Sequence, residues 1–316
     1  MKQQQQINRE NLYYRYSTYL KEKYGEKVYK LPVNLPLSCP NRRDNNQGGC
    51  IFCADVGTGF ESGESFRVKE QMEERKAVIQ KKYKASKFIV YYQNYTNTYM
   101  PLDLFKQVIS EGIHSDVVEI DISTRPDCIS SEQLDFLEQI KKDHGVEITF
   151  ELGLQTVNYH TLDKIHRGHG LGEFIDAVRR IHERGFEICT HLILNLPWDE
   201  NRDVVESAKV LSALKVRQVK LHALYIMDGT LMGEMYKRGE FQVCTMEEYK
   251  EKVILFLRHL DPGMVVQRLI GRAPEENSLF VNWNQSWWKI RDEIEETMEN
   301  EKYRQGDLFQ KEGGSR

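Results

Sequence analysis

Residues 117–128 read VVEIDISTRPDC, and their alternation decides the architecture. Side chains of a strand point to opposite faces with a period of two, so Val118, Ile120 and Ile122 share one face and Glu119, Asp121 and Ser123 the other. A parallel strand covered by helices on both faces reads instead as a continuous apolar run. The same polar phase recurs along the chain. In EITFELG, Ile148, Phe150 and Leu152 alternate with Glu147, Thr149 and Glu151; in RQVKLHA, Val219 and Leu221 alternate with Gln218, Lys220 and His222; in EICTHLILN, His191 and Asn195 lie in phase. A single buried acid can be a structural ion pair. Four strands polar in phase describe a barrel whose apolar face takes helices and whose polar face lines an open, wet or ligand-filled interior.

Strand-like runs begin near Leu31, Lys87, Val117, Glu147, Glu187 and Arg217, with helical patterns between them. Leu104, Phe105, Val108 and Ile109 make one apolar face; Phe174, Val178 and Ile181 another; Val204, Ala208 and Leu211 a third. Ser130-x-x-Gln133 and Thr245-x-x-Glu248 read as capping boxes, ahead of faces formed by Leu134, Leu137 and Ile140 and by Tyr249, Val253, Phe256 and Leu260. Strand–helix alternation means βα units and a parallel sheet. The reading is α/β: a partial (β/α)6 TIM-type barrel over residues 31–270, an N-terminal extension over 1–30 and a C-terminal one over 271–316, both with short helices. Functional groups of such barrels gather at the C-terminal strand ends. Gln93, Ser123 to Arg125, Gly153 to Gln155, Asn195 and His222 mark those ends, and Cys39 follows the first strand.

The stretch after that strand is LPVNLPLSCPNRRDNNQGGCIFCAD, residues 31–55, and it holds three of the six cysteines at C-x10-C-x2-C spacing. Two thiolates in CxxC close on one metal or cluster, and Cys39 reaches the same centre by a polar loop. Gly48 and Gly49 let that loop wrap tightly. Three ligands on a four-position centre leave one position open, as a reacting site needs and a structural zinc does not. Buried thiols and a zinc site closed by a distant residue are the bland alternatives. Cys128, Cys189 and Cys244 stand apart, in contexts that read as buried free thiols.

A net charge of −4 advertises no general basic field for nucleic acid. The local runs Arg42-Arg43, Lys81-Lys82-Tyr83-Lys84 and Arg179-Arg180 are the kind that usually form solvated faces. No apolar run approaches the ~20 residues of a membrane span, and the N-terminus, MKQQQQINRENLYYRY, has no signal-peptide core. With its free thiols the chain fits a reducing cytoplasm. The tyrosines after the Gln run read as a short helix. They suit packing against the body better than stacking on bases.

At this point the sequence resembles the radical S-adenosylmethionine (SAM) superfamily, and within it the Elp3-like branch. The long first cysteine spacing, the segment Ile122-Ser-Thr-Arg-Pro-Asp127 and Glu151-Leu-Gly-Leu-Gln155 carry the likeness, with His166-Arg-Gly-His169 and the Leu196-Pro197 pair in support. The C-terminal third, VVQRLIGRAPEENSLFVNWNQSWWKIRDEI and a late YRQGDLF, is similar to the YtqA/YhcC-type subgroup. No acetyltransferase domain of the Elp3 kind is read, so acetyl-CoA-dependent chemistry is not expected.

The resemblance implies that Cys39, Cys50 and Cys53 ligate three irons of a [4Fe–4S] cluster and that the fourth iron binds SAM. Reductive cleavage would give a 5′-deoxyadenosyl radical. Gln93, Ser123 and Arg125 are placed for SAM, although the stretch around Gln93 is aromatic and amide-rich where many relatives are glycine-rich, and Arg125 could equally pair with Asp127. Glu151 and Gln155 suit ribose or substrate, or stabilise the lumen. Arg167, His169, His191, His222 and Arg268 are candidate substrate contacts; the loop pair could instead cap a helix and the two strand histidines could be satisfied core groups. Tyr225, Met227 and Gly229-Thr230 resemble a pocket floor. Arg268, Arg272, Trp283 and Trp288 are candidates to contact a nucleotide or close the mouth, while Trp287, Ile290, Ile294 and Met298 form one packing face.

The subgroup resemblance implies a tRNA substrate, with the 5-substituent of wobble uridine carried from carboxymethylaminomethyl toward aminomethyl or methylaminomethyl. It also implies an external one-electron donor such as flavodoxin or ferredoxin, and leaves room for a downstream methyltransferase. The competing readings are a radical SAM enzyme for a small metabolite and a metal-binding structural or regulatory protein without turnover.

Overall fold

The computed structural model describes residues 12–42, 48–53, 65–272, 274 and 276–309. The glutamine run, Arg43 and most of the polar cysteine loop lie outside the described residues. In chain order the elements are α1 (Tyr16–Tyr24), β1 (Val28–Val33), α2 (Val68–Tyr83), β2 (Lys87–Tyr92), α3 (Leu102–Glu111), β3 (Val117–Thr124), α4 (Ser131–His144), β4 (Glu147–Gln155), α5 (Tyr159–Lys164), α6 (Leu171–Glu183), β5 (Glu187–Ile193), α7 (Asn201–Ala213) and β6 (Gln218–His222). There follow β7 (Ile226–Met227), α8 (Leu231–Lys237), α9 (Met246–His259), β8 (Val265–Arg268), β9 (Ser278–Phe280) and α10 (Trp287–Asn300). The six expected strands form at or close to their expected positions.

The parallel sheet of this partial barrel runs β1-β2-β3-β4-β5-β6-β8, so it carries seven strands where the alternation marked six. The seventh, β8, is four residues long. That is too short to show a period, and it follows the Asp261-Pro262-Gly263 turn directly after α9. β7 and β9 form a separate antiparallel pair.

The chain divides into two compact units. The first comprises Leu20–Leu154 and Leu162–His191. Its strands bury Leu31, Val33, Phe88, Val90, Ile120, Ile122, Ile148, Phe150 and Leu152. α3, α4 and α6 bury Phe105, Val108 and Ile109; Leu134, Leu137 and Ile140; and Phe174, Val178 and Ile181. Each such side chain contributes roughly 1.5–3 kcal/mol by leaving water. The capping box forms as read. Ser130 Oγ accepts from Gln133 N at 3.2 Å and Gln133 Oε1 from Ser130 N at 3.0 Å.

The second unit comprises Met1–Tyr19, Gln155–Thr161 and Leu192–Arg316. α7 packs on α9, and the Thr245–Glu248 capping box closes α9. Leu12, Tyr13 and Tyr19 are buried. Tyr13 OH donates to Glu295 Oε1 at 2.8 Å, Arg15 pairs with the same carboxylate at 2.9 Å, and Val266 N donates to Tyr14 O at 2.8 Å. The N-terminal tyrosines are therefore packing residues. Trp287 departs from its expected face: it is 37% exposed, with the Arg291 guanidinium over its ring, while Ile290, Ile294 and Met298 are buried.

Candidate active site

The cysteine loop is built by backbone turns. Arg42 N donates to Cys39 O at 2.8 Å and Cys53 N to Cys50 O at 2.9 Å, so both halves of the motif are turns that hold their cysteines close. Ile51 N donates to Ile165 O at 3.0 Å and ties the CxxC half to the end of α5. Gly48 and Gly49 have φ of +89° and +93°. A side chain at Gly49 would start 3.3 Å from Arg42 Cγ, so the close wrap needs glycine there. All three cysteines are free, and Cys50 is buried.

Each cysteine sulfur meets one guanidinium. Arg42 Nη2 lies 3.4 Å from Cys53 Sγ, Arg167 Nη1 3.5 Å from Cys50 Sγ and Arg125 Nη1 3.8 Å from Cys39 Sγ. These arginines come from the loop itself, from the end of β3 and from the segment after α5. Other bonds hold them. Arg125 makes a fork with Asp127 at 2.9 and 2.8 Å and donates to Arg167 O at 2.9 Å. Arg167 Nη2 donates to Gly153 O at 2.6 Å. Arg42 lies over the Tyr95 ring, 5.3 Å from its centroid. Burial pushes the Cys53 thiol up despite Arg42, and the nearby Cys50 and Cys39 push it the same way.

The segment Arg167-Gly168-His169 now has a physical reading. Gly168 has φ +75°, and a Cβ there would fall 2.5 Å from Asn41 Oδ1 and 3.1 Å from Arg125 Nη2. Only glycine lets the cysteine loop and the β3 arginine approach this backbone together. His169 Nε2 sits 3.2 Å from Gly153 O. Burial and then the Arg167 charge depress His169 to about 4, so it is neutral near pH 7. Neither Arg167 nor His169 caps α6; Glu173 does, accepting from Gly170 N at 2.8 Å.

The polar strand faces of the first unit point inward, and at this depth charges close the space. Glu119, Asp121 and Glu151 are fully buried or nearly so. Lys30 Nζ lies 2.6 Å from Asp121 and 2.7 Å from Glu151. Lys23 reaches Glu119 at 3.3 Å and Glu187 at 3.1 Å, Thr149 donates to Glu119 at 2.6 Å, and Tyr24 OH donates to the same carboxylate. Burial opposes charge on Glu119, but Lys23 and hydrogen bonds from Thr149, Tyr24 and Asp121 outweigh it and hold its pKa low. Burial raises Asp121 well above the carboxylate range; Lys30 opposes the rise and the charges of Glu119 and Glu151 add to it.

Glu151 is the hub. His191 Nε2 lies 2.9 Å from its Oε2, and Ser123 Oγ donates to it at 3.4 Å while lying 3.2 Å from Tyr91 OH. Glu151, Cys189 and His191 bring three ligand-type atoms within 4.8 Å of one another. Lys30 already sits on Glu151, so this group is a charge-balanced set, not a site for a further cation.

The remaining expected residues are placed as follows. Gln93 follows β2 with its N–H on Val33 O at 3.2 Å. Gln155 ends β4 half-buried with φ +78°. In the second unit, Arg268 of β8 contacts the His222 ring of β6 at 2.8 Å, and Arg268 lies in register with Lys220. Trp283 is held by packing, its indole N–H donating to Cys244 O at 2.7 Å, while Trp288 is 53% exposed. Met227 pairs in β7, and Thr230 caps α8 by accepting from Gly233 N at 3.0 Å. Cys189 is buried as read, but Cys128 and Cys244 are only half-buried. Cys128 stands against Asp127; burial and that carboxylate push its thiol up to about 12.

Sequence reasoning missed Arg42 as a site residue, and also Asn94 and Asn97. Asn94 Nδ2 donates to Leu35 O at 2.9 Å and its Oδ1 accepts from Leu35 N at 3.2 Å. Asn97 Nδ2 reaches Tyr92 O, Asn94 O and Ser123 O at 3.1, 2.8 and 2.9 Å. These amides staple the C-terminal ends of β1, β2 and β3. The amide-rich stretch around Gln93 was the visible signal.

A parallel half-barrel with three free cysteines after its first strand defines a radical SAM enzyme. The radical SAM superfamily model matches residues 39–211, and the radical SAM C-terminal domain model matches residues 216–300. The chain belongs to the radical SAM superfamily, in its Elp3-like branch, and its cofactors are those of the family, a [4Fe–4S] cluster and SAM.

It is similar to protein MJ0486 of Methanocaldococcus jannaschii, at 33% identity over 94% of this chain and 92% of that one. Protein YtqA of Bacillus subtilis is 31% identical over 96% and 95%. The tRNA uridine(34) acetyltransferase of M. jannaschii is 27% identical over 52% of this chain and 30% of its own length. The structure of the archaeal Elp3 of Methanocaldococcus infernus shares the fold, with a TM-score of 0.69 at 18% identity over 88% of this chain and 64% of that one.

Proposed function

We propose that this enzyme modifies the 5-substituent of the tRNA wobble uridine, carrying carboxymethylaminomethyluridine toward the aminomethyl or methylaminomethyl form. The observation that carries this reading is the match of about half of this chain to a tRNA uridine(34) acetyltransferase, together with likeness to YtqA along almost the whole chain.

Cys39, Cys50 and Cys53 suit the three-cysteine ligand set, being free thiols close enough for Cys39 and Cys50 to act electrostatically on Cys53. Cys39, Cys50 and Cys53 would hold the cluster, which together with SAM would supply radical abstraction of a substrate hydrogen. The protein's own groups bind and exclude water. Gln93 after β2 and Ser123 of β3 suit contacts to SAM, and Gln155 at the end of β4 suits ribose or substrate. Lys30 neutralises Glu151, and Glu151 holds His191 in a fixed orientation. Lys220 and Arg268 set two cations in register on neighbouring strands with the His222 ring beside Arg268, and this set suits the substrate carboxylate. A flavodoxin- or ferredoxin-type protein supplies the electron, and a methyltransferase acts afterwards where the methylated form is made.

Mass spectrometry of tRNA nucleosides from a deletion strain tests the reading. Accumulated carboxymethylaminomethyluridine is the expected result, and unchanged wobble uridines overturn it. The net charge of −4 favours a second reading, a small-metabolite substrate. Unchanged nucleosides beside intact SAM cleavage would select that one.

A further inference from the structure

We propose that Arg42, Arg125 and Arg167 set the reduction potential of the cluster through the cysteine sulfurs, and that Asp127 moderates the contribution of Arg125. The inference rests on the three-cysteine ligation above and not on the identity of the substrate. The carrying observation is the one-to-one pairing. Three guanidiniums from three separate segments end on three different cysteine sulfurs, at 3.4, 3.5 and 3.8 Å.

Cluster potentials respond to net charge, to hydrogen bonds on the sulfurs and to solvent exposure. Reduction adds one negative charge to a centre that already carries thiolates. A cation fixed beside a ligating sulfur stabilises the reduced form more than the oxidised one, and an N–H···S bond strengthens as the sulfur gains charge. Arginine suits the task because its guanidinium stays protonated at any working pH. It can also hold the sulfur with one nitrogen while the others are anchored. Arg167 is fixed by Gly153 O and Arg125 by Asp127 and Arg167 O. Arg42 lies over Tyr95, with Nη2 also 3.4 Å from Cys53 O.

The three are not equivalent. Asp127 makes a fork with Arg125 and offsets its charge, and the Arg125 contact is the longest of the three and shares its nitrogen with a carbonyl. His169, beside them, is neutral near pH 7 and adds no charge. Arg42 and Arg167 therefore carry most of the effect. The arginines are positioning residues, since they act through sulfur and do not touch the reacting atoms.

The test is a potentiometric titration of the reconstituted holoenzyme without SAM, followed by the EPR signal of the reduced cluster. Arg42→Met and Arg167→Met should each disfavour reduction about tenfold, which is about 59 mV for a one-electron couple. Arg125→Met should shift less. Asp127→Asn should shift the potential the opposite way, upward, by unmasking Arg125. A purely structural role predicts no such change of sign. Unmoved potentials in Arg42→Met and Arg167→Met, or a downward shift in Asp127→Asn, overturn the proposal. Where a Met variant takes up no iron, the Lys variant keeps the charge and loses the fork, and a smaller downward shift is expected. Lys variants with full iron and an unmoved potential, beside Met variants without clusters, overturn it by assigning the arginines to assembly alone. Loss of the cluster in Cys39→Ala tests the ligation separately.

Discussion

The inward-facing polar groups of the two units differ in sign and in how they are held. In the first unit, three buried acids, Glu119, Asp121 and Glu151, are met by Lys23, Lys30 and His191. In the second, β6 and β8 present Gln218, Lys220, His222, Gln267 and Arg268, and the contacts run amide to amide and guanidinium to imidazole. The first arrangement is a buried network in which lysines of α1 and β1 meet carboxylates of β3 and β4. The second sets Lys220 of β6 in register with Arg268 of β8. The same alternation in sequence thus produces two different interiors. What separates them is where the counter-charges come from: Lys23 of α1 and Lys30 of β1 reach the acids from earlier in the chain.

Burial of its ion pairs makes the first network the more fragile. Lys30→Met strips the cation from Asp121 and Glu151 together, and breaking a buried pair costs about 3–5 kcal/mol. Urea unfolding should show a loss of that size. Arg268→Met, in the cationic unit, should cost about 1 kcal/mol or less by the same measurement. Equal losses in the two variants would erase the contrast between the units.

His169 gives the next largest effect. Its folded pKa of about 4 lies below the ordinary value of 6.5, so the unfolded chain binds more protons between those values. The stability it confers is present above pH 6.5 and is lost as pH falls toward 4. In all, about 3 kcal/mol separates the two ends of that window. His169→Gln should flatten the wild-type stability profile there, and identical slopes for both proteins would show that His169 is not buried neutral.

The smallest effect belongs to Asp121. Its raised pKa means that burial favours the protonated form of this carboxyl. The stability it contributes is present below its unfolded pKa of about 3.9 and diminishes as pH rises toward the folded value. Asp121→Asn keeps shape and neutrality and should change stability by less than about 1 kcal/mol at pH 7. Glu119→Gln, which removes a charge that Lys23 and three hydrogen bonds support, should cost more. The reverse order would place the proton on Glu119.

Much of this architecture was legible from local pattern. The strand starts at Lys87, Val117, Glu147 and Glu187 stand where alternation put them, and Ser130–Gln133 and Thr245–Glu248 close their helices as read. The cysteine spacing pointed to an inorganic centre. Trp287 went astray because a helix face defined by spacing does not say how wide the covered stripe is. Its place in the first turn of α10 leaves it partly in solvent. β8 was missed because four residues show no period.

The sequence by itself determined the strands, the helix starts, the polar phase and the three-cysteine motif. Each depends on neighbours a few residues apart, where backbone geometry fixes which side chains share a face. Only the tertiary structure decided which cation meets which group. Arg42, Arg125 and Arg167 converge on Cys53, Cys39 and Cys50 from segments up to 117 residues away, and Lys30 crosses 121 residues to reach Glu151. Coulomb attraction and hydrogen bonding act through space, so such partners carry no spacing that a linear reading could find.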